Sequence, residues 1–264
     1  MRIALGVEYN GSRFYGWQTQ KQEPTVQQVL ERALAKVAAA PVDIMCAGRT
    51  DTGVHAHCQV AHFDTESERS ERSWVLGANT NLPDGATVLW ARHMDGSFHA
   101  RHSALARSYQ YHILNRWTRP ALDATRSSWV REELDAERMH EAAQALVGEH
   151  DFSSFRAIGC QSTTPWRNLH SIKVWREGDE VKVAVKANAF VYHMVRNLVG
   201  SLLEVGRGVK PVEWIAEVLE QRDRTQAGPT APSCGLYFVA PHYDSSWNLP
   251  THNTPAFPRG WNLS

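Results

Sequence analysis

One short segment of the sequence combines residue types that could do chemistry with residues that could shape a loop. Residues 46–55 read CAGRTDTGVH, and the acidic residue, Asp51, stands two positions after Arg49. Gly48 and Gly53 bracket this pair, and glycine permits the tight or positive-φ backbone that would push Asp51 into a cleft. A carboxylate held near a guanidinium stays ionised and accepts charge-assisted hydrogen bonds, so Asp51 is a candidate nucleophile or base. The same spacing is also compatible with a surface turn carrying an ordinary, weak Arg–Asp pair.

The histidines around the end of this segment suggest two other chemistries. His55, His57, Cys58 and His62 lie close together, and in a strand His55 and His57 would share one face, as metal ligands can. No second ligand pair with a recognised spacing accompanies them, so a zinc site is the weaker hypothesis. Thirteen histidines and many serines make a Ser/His/Asp hydrolase conceivable, but the sequence has no GxSxG elbow.

Composition favours a soluble globular protein. The chain has 264 residues, enough to bury a substantial core in one or two domains, and is 42% hydrophobic and 21% charged. No stretch approaches the ~20 apolar residues of a membrane span, and an acidic residue interrupts the N-terminal apolar run, unlike a secretory signal. The four cysteines are widely spaced and form no CxxC pair, so reduced thiols in a cytosolic protein are expected.

Charge is balanced overall but uneven along the chain. Basic and acidic residues both total 28, which argues against a generally basic nucleic-acid binder. Between Arg92 and Arg131, however, seven arginines accompany only two acidic residues, Asp95 and Asp123. The planar guanidinium suits phosphate contacts and base stacking, so this stretch is a candidate RNA contact.

Hydrophobic periodicity predicts an α+β protein of two related units, with mostly antiparallel sheets flanked by helices and an active-site cleft between the units. The expected units are residues 1–104 and 105–264. Thr25 and Gln28 are spaced as a capping box at a helix start.

Strands are predicted at Ile3–Tyr9, Val42–Cys46, Gln59–Phe63, Thr87–His93, Ser108–Leu114, Ser171–Arg176, Val181–Ala187 and Leu236–Ala240. Helices are predicted from Thr25 to before Pro41 and at Ser73–Ala78, Asp135–Val147, His193–Val205 and Pro211–Gln221. The tail after Pro241 is expected to follow the surface or to be mobile.

The segment AGRTDTGVH resembles the signature loop of the tRNA pseudouridine synthase A family, which usually reads GRTDAGVH. Other segments resemble that family in the same order, and they are YNGSRFYGWQ, SFHARHSALARSYQY, GEHDFSSFRA, TPWRNLH, ANAFVYHMVRNLVGSLLEVGRG and GLYFVA. They extend from about Ile3 to Val239, and several are highly specific. The resemblance implies the pseudouridine synthase fold and an isomerase that needs neither a cofactor nor a metal.

The resemblance also implies roles for five residues. Asp51 corresponds to the catalytic carboxylate; addition at C1′, addition at C6 and assistance to a glycal intermediate all remain open. Arg49 resembles the arginine that orients and flips the target nucleotide, a step required because the reacting atoms are otherwise stacked inside the RNA. Tyr109 resembles the aromatic residue that stacks on the uracil, and Arg196 resembles the basic partner of the aspartate. Leu236 resembles the apolar residue that lines the base pocket.

Two further blocks resemble the family's tRNA contacts. Their residues are Phe98, His99, Arg101 and His102 in FHARH, and Gly159, Cys160, Gln161, Ser162 and Thr163 in GCQST. Phosphate contacts and stacking of this kind suit recognition of an RNA stem-loop by shape. The resemblance implies modification of uridines 38, 39 and 40 in the tRNA anticodon stem-loop by a cytoplasmic homodimer. The alternative is a non-catalytic tRNA-binding or tRNA-folding protein of the same fold, which would have no need of a nucleophile.

Overall fold

The computed structural model describes residues 1–250. The first part of the chain contains strands β1 (Arg2–Tyr9), β2 (Met45–Cys46), β3 (His55–Asp64) and β4 (Ala86–Met94), with helices α1 (Val26–Ala38) and α2 (Glu71–Asn81). Helix α1 begins with the predicted capping box. The Thr25 side chain accepts a hydrogen bond from the Gln28 backbone N–H, and the Gln28 side chain accepts one from the Thr25 N–H. This reciprocal pair satisfies donors that a helix start otherwise leaves free.

The second part repeats the alternation of strands and helices. Its strands are β5 (Ala104–Asn115), β6 (Ser128–Val130), β7 (Gly148–Asp151), β8 (Trp166–Glu177), β9 (Glu180–Ala187) and β10 (Leu236–Tyr243), and its helices are α3 (Ala136–Ala143), α4 (Met194–Gly206) and α5 (Trp214–Gln221). In the hairpin between β8 and β9, Gly178 has a φ of +58°, the backbone that a two-residue hairpin turn requires. Within residues 1–250, none of the helices is both long enough and apolar enough to cross a membrane.

The ten strands found within residues 1–250 belong to one continuous sheet. Its main order is β4-β1-β3-β10-β5-β9-β8-β7, with β2 paired to β3 and β6 paired to β5. The pairs are antiparallel except for β5–β6 and β3–β10. In the β3–β10 pair, Tyr237 lies opposite His55 and Phe238 lies opposite Ala56. The predicted α+β class with a mostly antiparallel arrangement is confirmed, and β10 joins the strands of the two halves.

Two hydrophobic cores flank this junction. One is built from buried residues of the first hundred positions, including Phe63 and Trp74, together with Phe238. The other is built from buried residues between Tyr111 and Leu236, together with Val54. Each core therefore contains one residue from the other half, and both of these residues lie beside the β3–β10 pairing. These two residues pack the halves of the chain against each other next to the loop that precedes β3.

Several elements differ from the sequence prediction in extent. Strand β3 begins at His55, earlier than the predicted start at Gln59, because its histidines pack against β10. Only the last two residues of the predicted strand Val42–Cys46 form β2, and the predicted helix Asp135–Val147 tightens after Ala143 into a 3₁₀ turn. Strands β6 and β7 were not predicted, since they are three and four residues long and are set by their neighbours. Part of the predicted tail after Pro241 is strand β10, and residues 251–264 of that tail lie outside the described part of the chain.

Candidate active site

Asp51 lies in the loop that leads into β3, and a tight turn holds it there. The Val54 N–H donates to the Asp51 carbonyl at 3.1 Å. Gly53, between them, has a φ of +84°, as required at the third position of a type II turn, where glycine is favoured. On the other side, the Thr50 and Tyr9 hydroxyls share a buried hydrogen bond of 2.7 Å. The backbone around Asp51 is therefore fixed, while its side chain is 32% exposed and lines a cavity.

Two nitrogen-bearing side chains from the second half of the chain approach the Asp51 carboxylate. His193 Nε2 lies 3.2 Å from Asp51 Oδ2, and Arg196 Nη1 lies 3.7 Å from the same oxygen. Arg196 is in the first turn of α4, and its Nε donates to the Ala231 carbonyl at 2.7 Å, which anchors the guanidinium. Burial lowers the pKa of His193, although Asp51 opposes the shift, so the imidazole is neutral near pH 7. The carboxylate thus faces one permanent cation and one neutral ring.

Tyr109 forms an aromatic wall of the same cavity. It lies on β5, and its ring meets the rings of Phe190 and Phe238 edge-on, with centroids 4.9 and 5.1 Å away. This is the favoured geometry for aromatic quadrupoles, so the ring is held in place on two sides. Burial raises the pKa of Tyr109, and the nearby Tyr9 and Asp51 raise it further. The phenol therefore keeps its proton at physiological pH.

These groups line one cleft with a volume of about 130 Å³. Leu236, 6% exposed at the start of β10, supplies an apolar part of its wall. The structure thus brings five of the predicted site residues to one cavity, and they are Arg49, Asp51, Tyr109, Arg196 and Leu236. The first two come from the loop before β3 and the others from the second half of the chain, so the cleft exists only when both halves are folded together.

Arg49 and the predicted RNA-contact segment Gly159–Thr163 meet at the rim of this cleft. Arg49 Nη1 donates to Gln161 Oε1 at 3.2 Å, and both side chains are exposed. Arg156 donates to two carbonyls of the segment at 3.2 and 2.7 Å. The Tyr192 N–H donates to the segment's cysteine sulfur at 3.3 Å, which ties the segment to the cavity wall. Two regions far apart in sequence therefore form one edge above Asp51.

The second predicted RNA-contact block is divided between the core and the surface. Phe98 is fully buried and packs against Tyr243, so its side chain offers no surface to an RNA in this structure. Arg101 and His102 are exposed, and His99 is half-buried. His99 Nδ1 accepts the N–H groups of Arg101 and His102 at 3.1 and 3.3 Å, which shapes the turn. None of the four predicted residues lines the cleft that contains Asp51.

The cavity residues that were missed from the sequence include Phe190, Tyr192 and His193. All three lie just before or at the start of α4. The available signal for His193 was its position three residues before Arg196, a spacing that brings two side chains to the same side of a helix. Tyr192 and Phe190 gave no comparable signal, because they lie in an irregular segment whose path depends on tertiary packing.

The clustered histidines have structural partners. His55 and His57 share a face, as predicted, and both stack on Tyr237, with centroids 4.6 and 5.0 Å away. His55 and His62 each accept a backbone N–H at Nδ1, at 3.1 and 3.2 Å. Over the described range 1–250, no three His, Cys, Asp or Glu side chains are grouped so that they could hold a metal ion.

Comparison with known proteins identifies the family of this chain. The family described as tRNA pseudouridine synthase matches residues 6–103 and 142–244. The tRNA pseudouridine synthase A of Aeromonas hydrophila subsp. hydrophila is 55% identical over 250 residues, covering 95% of this chain and 93% of that protein. The protein of the same name from Aeromonas salmonicida is 56% identical over 250 residues, with the same coverage of 95% and 93%. That of Stenotrophomonas maltophilia is 55% identical over 255 residues, covering 96% of this chain and 100% of its own. This chain belongs to the tRNA pseudouridine synthase family.

Proposed function

We propose that this chain isomerises uridine to pseudouridine in tRNA, with Asp51 as its catalytic carboxylate. The observation that carries the proposal is the convergence of Asp51, Arg196, Tyr109 and Leu236 on one cleft. In this reaction the C1′–N1 bond of uridine breaks, the base turns, and C1′ joins C5. The C5 proton is lost and N1 gains one, so the atoms and electrons of the substrate are conserved. Side chains alone can supply such chemistry.

Asp51 serves as the group that attacks or assists at the sugar or the base. Addition at C1′, addition at C6 and assistance to a glycal each need an ionised carboxylate with one face open to the substrate. Arg196 places a permanent cation 3.7 Å from the carboxylate oxygen of Asp51, close enough for a direct electrostatic attraction. The 32% exposure of the Asp51 side chain leaves room for the approach.

The other cavity residues hold a single uracil outside the RNA stack. Tyr109 offers its ring for stacking, and Leu236 supplies apolar contact from the side of β10. A base inside a stem cannot reach Asp51, so the target nucleotide must be flipped into the cleft. Arg49 lies at the rim of the cleft. During base flipping its guanidinium can release the hydrogen bond to Gln161 and bind the RNA instead.

We propose uridines 38, 39 and 40 of the anticodon stem-loop as the targets. Support comes from the resemblance of several segments to the tRNA pseudouridine synthase A family and from the names of the similar proteins. The exposed Arg101 and His102 and the segment Gly159–Thr163 are the proposed tRNA contacts. Phe98 contributes to this surface only by supporting the turn from beneath, since it is buried.

We also infer a cytoplasmic homodimer in which each chain has units 1–104 and 105–264. The two hydrophobic cores support the division into units, because their membership changes between Ala100 and Tyr111. The four free cysteines support a reducing compartment. Sedimentation of the purified protein, alone and with tRNA, tests the dimer directly.

The decisive experiment maps pseudouridine in tRNA transcripts incubated with wild-type protein, Asp51→Ala or Asp51→Asn, without any added cofactor or metal. The wild type should convert the anticodon-stem uridines, and both variants should be inactive while still binding tRNA. Asp43→Asn is the matched control, since Asp43 is an exposed aspartate of the same half that lies outside the cleft, and it should retain full activity.

Each other outcome has a definite meaning. Activity of Asp51→Ala equal to wild type would remove Asp51 from the catalytic role. Binding of tRNA without conversion by any form of the protein would favour a non-catalytic tRNA-binding protein instead.

A further inference from the structure

Arg107 lies near the start of β5, and backbone carbonyls surround its guanidinium. Nη1 donates to the Ala104 and Asn188 carbonyls, each at 3.0 Å. Nη2 donates to the carbonyl of Ala47, at 3.3 Å, and to that of Arg101. Nε also donates to the Ala47 carbonyl, at 3.4 Å. A guanidinium has five N–H donors, and these five hydrogen bonds occupy all of them.

This bonding leaves Arg107 without a free donor for an RNA phosphate. The side chain is half-buried, and burial lowers its pKa, although an arginine in a protein keeps its proton. No ion pair of Arg107 is found within residues 1–250. A cation partly removed from water costs free energy unless hydrogen bonds compensate, and here backbone carbonyls provide them. The bonds of this guanidinium are therefore made within the protein.

Three of the four carbonyls belong to different parts of the proposed site. Ala47 is the first residue of the loop between β2 and β3, which carries Asp51. Asn188 directly follows β9 and stands two residues before Phe190, which lines the cleft. Arg101 lies in the exposed turn that we propose as a tRNA contact. One side chain therefore connects the catalytic loop, a wall of the cleft and the tRNA-contact turn.

We propose that Arg107 is a positioning residue, which holds the tRNA-contact turn at Arg101 in a fixed place relative to the loop of Asp51. The inference rests on the proposed function, in which Arg101 contacts tRNA and Asp51 reacts with the uridine. The planar guanidinium is a rigid group, so its hydrogen bonds set the distances between the segments that it contacts. A displacement of about 1 Å at a reacting group can cost about 100-fold in rate.

The test replaces Arg107 with Lys and with Gln. Single-turnover conversion of tRNA transcripts and tRNA affinity are measured separately. Lysine keeps the charge, but its three donors share one nitrogen and cannot reproduce the planar fork. We expect Arg107→Lys to lower the conversion rate of bound tRNA about tenfold or more. Arg107→Gln should lose about as much, because both variants lack the geometry of the guanidinium.

A double variant tests the connection between Arg107 and Arg101. Arg101→Gln should weaken tRNA binding less in the Arg107→Lys background than in wild type, with the fold-effect reduced about twofold or more. The physical reason is that an Arg101 displaced from its place no longer makes its full contact with tRNA. Two residues that do not influence each other would have additive effects on the binding free energy.

Arg176→Lys is the matched control. Arg176 also donates to backbone carbonyls, those of Gly178 and Leu134, at 3.4 and 2.7 Å, but it does not line the cleft. Thermal unfolding should show a similar loss of stability in Arg176→Lys and Arg107→Lys. The conversion rate and the effect of Arg101→Gln should remain unchanged in the Arg176→Lys background.

Each of four results would overturn the inference. The first is a full conversion rate in Arg107→Lys, and the second is additivity of Arg107→Lys with Arg101→Gln. The third is an equal loss of rate in Arg107→Lys and Arg176→Lys, which would indicate a general effect of stability. The fourth is failure of both Arg107 variants to fold while Arg176→Lys folds, since Arg107 would then maintain the whole fold.

Failure of the proposed function is distinguishable from these results. It would appear as an active Asp51→Ala variant or as a wild-type protein that converts no uridine. If Asp51→Ala is inactive and Arg107→Lys is fully active, only the positioning role of Arg107 fails.

Discussion

At the residue scale, the environment of each titratable side chain decides its part in the molecule. Asp51 is partly open and faces a guanidinium and an imidazole ring, whereas His62 is 4% exposed and accepts the Ala100 N–H at Nδ1. Burial, together with the nearby His99 and Arg2, lowers the pKa of His62 to about 4. His62 therefore has a structural role as a buried, neutral hydrogen-bond acceptor. Because the folded state disfavours its protonated form, His62 makes the stability of the protein depend on pH.

We predict that the free energy of unfolding falls as the pH is lowered from about 6.5 to 4. His62 has an ordinary pKa near 6.5 when unfolded and about 4 when folded, so below pH 6.5 the unfolded chain binds more protons. Its share of stability is complete above pH 6.5 and is lost toward pH 4, on the order of 3 kcal/mol. His112 and His242, whose pKa values burial also lowers to about 4, act in the same direction. Urea denaturation at a series of pH values measures the slope.

His62→Asn isolates the contribution of one ring. The Asn carbonyl oxygen occupies nearly the place of Nδ1 and can accept the Ala100 N–H, but it does not titrate. The variant should be less stable than wild type at pH 7 because it loses packing, yet it should lose less stability on acidification. An unchanged slope would show that His62 is already protonated in the folded protein or exposed to solvent.

At the element scale, two local structures position the proposed reacting groups. The turn from Asp51 to Val54 depends on Gly53, and the start of α4 depends on the left-handed backbone of His193. Gly53 is also crowded, since a Cβ built on it would lie 2.5 Å from Ser233 Oγ. Each structure lies next to the first residue of a regular element. The element fixes the direction of the backbone there, while the side chain next to it stays free of the element's own packing.

We predict that Gly53→Ala lowers activity about tenfold or more through displacement of Asp51. Gly178→Ala is the matched control, because Gly178 also has a positive φ but nothing within 4 Å of its added Cβ. Both variants should lose about 1 kcal/mol of stability from the left-handed alanine, while only Gly53→Ala should lose activity. Thermal unfolding and initial rates on tRNA transcripts give both quantities. If Gly53→Ala and Gly178→Ala were equally active, the added methyl group at Gly53 would not displace Asp51 enough to affect the reaction.

At the scale of the whole molecule, one sheet carries both halves and places the cleft at their junction. The parallel pairing of β3 with β10 brings the loop of Asp51 beside Leu236 and the start of α4. The net charge of zero means that RNA attraction must come from local surfaces such as the exposed Arg101. Binding that depends on a few phosphate contacts should respond to salt in proportion to their number.

We predict that Arg101→Gln weakens tRNA binding and reduces the salt dependence of the binding constant by about one unit of slope. Lys173→Gln is the control. Tyr109 pairs with Val185, which pairs with Ile172, so the neighbouring Lys173 lies on the opposite face of the sheet from the cleft. Binding measured between 50 and 200 mM salt, a range over which phosphate contacts lose affinity steeply, compares the two variants. Equal effects of both would point to a general charge contribution without a defined contact at Arg101.

Most of the regular elements, and the candidate residues for the chemistry, could be predicted from the sequence alone. The Asp51 loop with its glycines, the capping box of α1 and the hairpin over Gly178 were all readable, because turns and caps depend on a few neighbouring residues. Helical and strand periodicity placed most of the longer elements for the same local reason. Resemblance to a family then assigned roles to Arg49, Tyr109, Arg196 and Leu236, which no spacing could have connected.

Which side chains meet depends on the tertiary structure. The contact of His193 with Asp51, the burial of Phe98 and the link between Arg49 and Gln161 depend on the order of strands in the sheet. That order is set by the burial of the two hydrophobic cores. Their stability comes from many contacts between residues far apart in the sequence, and such contacts leave no local pattern in the chain. The sequence therefore indicated the candidate reacting groups, and long-range packing set the geometry in which they meet.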